Sequence, residues 1–196
     1  YISDLAQLVS IAQQREPGAQ TFLLGHSAGG VIGCGYTLEH QDKLAGYICE
    51  SFAFQVPAPD FALAALKGLS HVAPHAHVLA LKNEDFSRDP AAVKRMNDDP
   101  LIAHETQPTK TVAEMARADE RLKKDFPKFK LPLFIIHGTK DAATKPSGSQ
   151  MFYDHAGSAD KTLKLYEDHV HDLLADIGKE QVMGDIRAWV GARLKA

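Results

Sequence analysis

Three short stretches hold the residues best equipped for chemistry. Gly25-His26-Ser27-Ala28-Gly29 has the pattern G-x-S-x-G, a serine with glycine two residues away on each side. It follows the apolar run Thr21-Phe22-Leu23-Leu24 and precedes a glycine-rich helical stretch, which is where the pattern has mechanical meaning. A tight, strained strand-to-helix turn would lift Ser27 Oγ clear of the sheet, and the small flanking residues would let strand and helix approach. The N–H of Ala28, at a helix N-terminus, would then be free to stabilise an oxyanion. Chance alone places the bare pattern in roughly one chain in twenty of this composition, so it gains weight only from partners. A serine nucleophile needs a base, and the base an orienting acid. Phe134-Ile135-Ile136-His137-Gly138-Thr139-Lys140-Asp141 puts a carboxylate just past a strand pattern, and Tyr166-Glu167-Asp168-His169-Val170-His171 puts two imidazoles past the next. The chemistry such a set would do is acyl transfer: Ser27 would attack, one of the two histidines would take and return the proton, and Asp141 would hold the imidazole in the right tautomer. A phosphate loop is the competing reading of the glycines. Gly25 and Gly30 have the right separation, but Val31-Ile32 stand where Lys and Ser or Thr are needed, and no G-x-G-x-x-G runs through Gly29, Gly30, Gly33 and Gly35.

The elements that must position these residues can be read from the apolar periodicity. Ile2, Leu5, Leu8, Val9 and Ala12 recur at helical spacing and Pro17-Gly18 supplies a stop, so residues 1–16 read as an amphipathic helix. Strands are expected at 21–24, 44–49, 131–136 and 162–166, with helices at 28–38 and around 150–155. A last helix is expected to bury Val182, Met183, Ile186, Trp189 and Val190 on one face. Between Phe52 and Lys130, Pro74, Pro90, Pro100 and Pro108 break the pattern into several short helices without a long strand. Strands alternating with helices imply crossovers and a mainly parallel sheet.

Composition narrows the classes of partner. The 196 residues, 44% apolar and 24% charged, suit one globular domain. With 22 Lys and Arg against 25 Asp and Glu the net charge is -3, which gives no electrostatic case for a nucleic-acid partner. Two cysteines, Cys34 and Cys49, rule out a disulfide scaffold and leave a reduced pair or a single bridge, and their apolar surroundings favour the reduced, buried pair. No apolar stretch of 18 residues occurs, and residues 1–16 lack the charged start and apolar core of a secretion signal, so cytoplasmic is the expected location.

The chain resembles the monoacylglycerol lipase and lysophospholipase group of serine aminopeptidase-like α/β-hydrolases. The resemblance is carried by Glu16-Pro17-Gly18 before Phe22 to Gly30, by Asn97-Asp98-Asp99-Pro100-Leu101-Ile102, and by Asp160 to Glu167 leading to His171. It implies an α/β-hydrolase fold with a helical cap: hydrolase core at 1–51 with the nucleophile turn, cap at 52–130, and core again at 131–196 with acid and base. It maps the nucleophile to Ser27, the acid to Asp141 and the base to His171, preferred to His169 because the family places its histidine five residues after the tyrosine. The implied activity is hydrolysis of carboxylic esters, of monoacylglycerol, lysophospholipid or short acyl type, without metal or cofactor. The family's chains carry earlier strands and a His-Gly loop that supplies a second oxyanion donor. Neither is present in residues 1–196, so an N-terminally truncated domain is expected, with Ala28 as the one identified donor and an open sheet edge at the strand ending in Leu24. Self-association through that edge follows as an expectation. An impaired hydrolase fragment or a binding module is the alternative, because one lost donor typically costs about 10² to 10³ in turnover. A cofactor-free haloperoxidase or C–C hydrolase on the same scaffold is a third.

Other residues read more plainly. His71, His75 and His77 are spaced as metal ligands could be, but Pro74 breaks the helix between them and no acidic partner is placed, so they read as surface residues. His26 and His137 read as packing and hydrogen-bonding residues. Phe54, Val56, Phe61, Leu63, Leu66 and Leu69 would either line an acyl-chain site or cover the sheet. Lys110 to Lys130 holds seven basic against four acidic residues, a solvated helical face or, more sharply, a transient contact with anionic lipid surfaces.

Overall fold

A computed structural model describes residues 1–55, 60–102 and 106–194. The elements run α1 (Ile2–Arg15), β1 (Phe22–His26), α2 (Ala28–Glu39), β2 (Gly46–Glu50), α3 (Asp60–Val72), β3 (His77–Ala80), α4 (Pro90–Asp98), β4 (Thr106–Pro108), α5 (Thr109–Asp125), β5 (Leu133–Gly138), α6 (Pro146–His155), β6 (Lys161–Tyr166) and α7 (Lys179–Gly191). The main sheet has the order β1-β2-β5-β6 and every pairing in it is parallel. Parallel neighbours need a crossover, and helices supply it on both faces. A parallel sheet of this order with helices on both faces is the architecture that the resemblance implies.

Two apolar layers hold the sheet. On one side α7 lays Trp189 flat against Phe134, with ring centroids 5.6 Å apart and 18° between planes, and buries Val182 beside it. On the other, Phe52, Phe54, Phe126, Phe129 and Phe152 form one cluster in which Phe126 stacks on Phe152 at 4.6 Å. Each side chain so buried contributes about 1.5–3 kcal/mol. Phe52 and Phe54 follow β2 while Phe126 and Phe129 close α5. The cluster therefore pins both ends of the intervening segment to strands β2 and β5, which are themselves neighbours. Cys34 and Cys49 are free and fully buried, and burial pushes both thiols well up from their ordinary range.

Several local expectations need correcting. Met183 is 41% exposed, so the buried stripe of α7 rests on Val182 and Trp189 with Ile186 and Val190 beside them. Leu8 in α1 is exposed, and Val9 carries the contact instead. Between β2 and β5, β3 and β4 form a two-stranded antiparallel ribbon that periodicity does not suggest, because all four residues of β3 are exposed and no alternation marks a buried face. The helix that follows is 17 residues long rather than short, with Val112, Ala113, Ala116 and Leu122 buried on one side. Among the basic residues of 110–130, Lys110 and Arg117 pair with Glu114, Arg121 with Glu39, and Lys128 with Asp125. Among the described residues no helix is long and apolar enough to cross a membrane.

Candidate active site

Every candidate site residue leaves the carboxyl end of a strand of the parallel sheet, where open α/β sheets form their binding crevices. His26 is in register with Glu50, so Ser27 and Ser51 leave β1 and β2 side by side. Gly138 pairs with Tyr166, so the loops bearing Asp141 and His171 leave β5 and β6 together. Gly138 is required there: a Cβ would run into the His169 and Val170 carbonyls.

Ser27 sits at the turn with φ 53° and ψ -120°, strained for a residue with a side chain. Its amide donates to Glu50 O at 2.9 Å and its carbonyl accepts from Gly30 N at 2.9 Å, which over-determines the conformation. The side chain does not cap α2, which leaves Oγ uncommitted to the helix it precedes. Of the two motif glycines, only Gly25 is sterically required. At Gly25 a Cβ would meet Gly29 O at 2.5 Å and Tyr47 Oη at 2.8 Å, whereas at Gly29 nothing lies within 4 Å. The close approach of helix to strand is instead continued by Gly33, where a Cβ would lie 2.8 Å from Tyr47 Oη.

Asp141 is held from several sides. Oδ1 accepts from the amides of Ala143 and Thr144 at 2.8 and 2.9 Å. Oδ2 accepts from Thr144 Oγ1 at 2.7 Å, His171 Nδ1 at 2.8 Å and His137 Nε2 at 3.0 Å. Burial alone would raise its pKa, but the hydrogen bonds from His137, His171 and the Thr144 amide hold the carboxyl well below the ordinary range. An ionised carboxylate has no proton to give, so His171 carries its proton on Nδ1 and Nε2 is left as the acceptor. His171 is 1% exposed, and its Nε2 has no hydrogen-bond partner among the described residues.

His171 is also fixed through its backbone and by two ring contacts. Ser51, fully buried, donates to its carbonyl at 2.6 Å. The Phe86 ring meets the imidazole edge-on at 4.8 Å, and the His26 ring lies 4.8 Å away on a tilted plane. His169 goes elsewhere: Nδ1 bonds to Glu167 O and the ring packs on Tyr166, so the structure brings His171 and not His169 onto Asp141. His137 makes the packing and hydrogen-bonding contacts expected of it, its Nδ1 lying 2.7 Å from Ser149 Oγ. With Nε2–H given to Asp141, Nδ1 accepts from that hydroxyl.

Ser27, Ala28 and His171 line one cavity of about 190 Å³, whose walls are mainly apolar and include Phe54, Leu79, Phe86 and Met115. The first free amide of α2 therefore belongs to the same wall as the serine. A second cavity of about 410 Å³, bounded by Leu63, Leu66 and Val78, shares Leu79, Leu81, Phe86, Val112 and Ala143 with the first. Of the apolar residues read as either lining an acyl site or covering the sheet, Phe54 lines the first cavity, and Leu63 and Leu66 line the second. Phe61 and Leu69 are exposed, and Val56 lies outside the described residues.

His26, Glu50 and Asp172 bring three potential metal-ligand atoms within 4.8 Å of one another. Burial lowers the pKa of His26, but Glu50 at 3.5 Å, with Asp172 and Asp141, outweighs it and holds the imidazole above its ordinary value. His71, His75 and His77 are exposed, and His71 meets Arg117 at 3.3 Å.

The serine aminopeptidase S33 family matches residues 1–178. The chain is 31% identical over 198 residues to the monoglyceride lipase homolog of monkeypox virus, covering all of this chain and 71% of that protein. It is 29% identical over 199 residues to the monoglyceride lipase of Rattus norvegicus, covering 99% of this chain and 66% of that one. The chain thus spans about two thirds of the length of the curated relatives it matches. Among solved structures, the monoacylglycerol lipase of Paleococcus ferrophilus superposes with a TM-score of 0.86 at 28% identity, over 98% of this chain and 74% of that one. With its sheet, its strained serine turn and a match over most of its length, the chain belongs to the serine aminopeptidase S33 family of α/β-hydrolases.

Proposed function

We propose that the chain carries the machinery of a serine hydrolase that cleaves carboxylic esters of the monoacylglycerol type, through an acyl-enzyme on Ser27. The observation that carries this reading is the setting of His171: Nδ1 is held by an ionised Asp141, Nε2 is buried with no hydrogen-bond partner among the described residues, and the residue lines the same cavity as Ser27. In this reading Ser27 Oγ attacks the acyl carbon and its proton passes to Nε2. The oxyanion is met by the Ala28 N–H, and His171 then returns the proton to the leaving alcohol. Water repeats the cycle on the acyl-enzyme. Asp141 orients the imidazole and stabilises its charged form. Residues 52–130 serve as the cap, and the apolar cavity beneath it takes the acyl chain. The names of the relatives and the apolar walls support a monoacyl ester over a charged or peptide substrate.

Hydrolysis of p-nitrophenyl butyrate by the purified chain, beside Ser27→Ala, tests the reading. A loss of about 10³-fold or more in the variant is expected. Equal turnover in the two proteins would overturn it.

A further inference from the structure

We infer that Arg88 and Asp176 form a positioning pair for His171, clasping residues 86–88 against the loop that carries the base. This rests on the hydrolase reading above and adds two residues to it.

The clasp is dense and spans elements far apart in the chain. Asp176 is 1% exposed, and its carboxylate accepts from the Arg88 amide at 2.7 Å, from Arg88 Nε at 2.9 Å and from the Val170 amide at 3.2 Å. The same guanidinium donates from Nη2 to Ile177 O at 2.7 Å. One residue earlier, buried Ser87 donates to Ala175 O at 2.9 Å. Before that, Phe86 O accepts from the Asp172 amide at 2.8 Å. Residues 170 to 177 are therefore tied at five points to a stretch of three residues. That stretch places the Phe86 ring on the His171 imidazole.

The chemistry of the pair suits positioning. Burial would raise the Asp176 pKa, but the amides of Arg88, Val170 and Ile177 and the Arg88 side chain lower it, so the carboxylate stays charged and its bonds stay strong. A guanidinium offers donors in a rigid plane, which fixes angle as well as distance, and an ammonium cannot reproduce that. Val170 is the residue before the base, so a carboxylate that holds its amide sets the path by which His171 Nε2 reaches Ser27. A displacement of about 1 Å between reacting groups can cost about 10²-fold in rate. Neither residue lines the cavity with Ser27, so the pair acts through His171 and does not touch substrate.

The test compares the wild-type chain with Asp176→Asn, Arg88→Met and Arg88→Lys in hydrolysis of p-nitrophenyl butyrate. Competent sites are counted by stoichiometric fluorophosphonate titration of Ser27, so that unfolded molecules drop out of the rate. Asp176→Asn and Arg88→Met are expected to lower kcat per titrated serine about 10- to 100-fold, with KM within threefold of wild type. Arg88→Lys keeps a charge opposite Asp176 without the planar fork, and is expected to lower kcat severalfold at unchanged KM. It decides the matter alone if the other two do not fold. A kcat per titrated serine within twofold of wild type, with or without fewer titratable sites, would overturn the pairing role. A wild-type chain that is not labelled at Ser27 would instead overturn the hydrolase reading, and the positioning role with it.

Discussion

Asp141 Oδ2 lies 2.8 Å from His171 Nδ1, and on its other side the same oxygen lies 3.0 Å from His137 Nε2. One carboxylate oxygen holds two imidazoles, and Ser149 in turn holds the second. The arrangement keeps Asp141 ionised in a place where its side chain is fully buried.

That ionisation couples stability to pH. Asp141 and Asp176 have folded-state pKa values below the unfolded carboxylate value of about 3.9, so the unfolded chain binds more protons as the medium is acidified. Their contribution is complete above that value and is lost as pH falls through it toward the folded-state pKa. The urea midpoint of the wild type is expected to fall between about pH 5 and pH 3. In Asp141→Asn the fall should be shallower by about one proton's uptake. An equal slope in the two proteins would contradict the depressed carboxyl.

The two motif glycines differ in what they must accommodate. Gly25→Ala would drive a Cβ to 2.5 Å from Gly29 O, a clash with backbone that cannot swing away, and is expected to cost about 1–3 kcal/mol. Gly29→Ala meets nothing within 4 Å and is expected to leave the melting temperature near that of the wild type. Calorimetry of the pair checks this, and equal destabilisation would contradict the geometry.

Phe86 stands at the wall common to both apolar cavities while its ring touches His171. Phe86→Ala should join the two spaces. Activity against p-nitrophenyl esters from C2 to C16 is expected to shift its optimum to longer chains, with overall kcat lowered by about tenfold through the loosened imidazole. An unchanged chain-length optimum would show that the ring does not bound the acyl site.

At the edge of the sheet, β1 pairs with β2 on one side and with no other described strand, and Leu24 is 38% exposed. Unpaired strand edges recruit further strands. Light scattering after gel filtration is expected to show concentration-dependent self-association, and a clean monomer across the concentrations tested would contradict it.

Much of the site could be read before the fold was known, for a physical reason. Ser27 and Asp141 each follow a short apolar run and the two histidines follow an alternating one, all patterns that suit strands, so their placement at one end of a parallel sheet comes with the strand pattern. What the pattern hides is contact between distant segments. Ser51 and His171 are 120 residues apart, and Arg88 and Asp176 are 88 apart. No periodicity links such pairs. The exposed ribbon of β3 and β4 was equally hidden, since a strand with no buried face has no alternation to reveal it. Met183 was misplaced because helical spacing alone gives a stripe wider than the surface α7 covers. Choosing His171 over His169 rested on family resemblance alone, and the structure adds the contact with Asp141.

In the proposed mechanism Ser27 is a nucleophile made reactive by His171. Intact-mass measurement of the chain after treatment with a fluorophosphonate tests this most directly. One adduct, located to Ser27, abolished in Ser27→Ala and slowed at least about 10³-fold in His171→Ala, is the expected result. Labelling at another residue, or labelling of Ser27 at the same rate in His171→Ala, would contradict it.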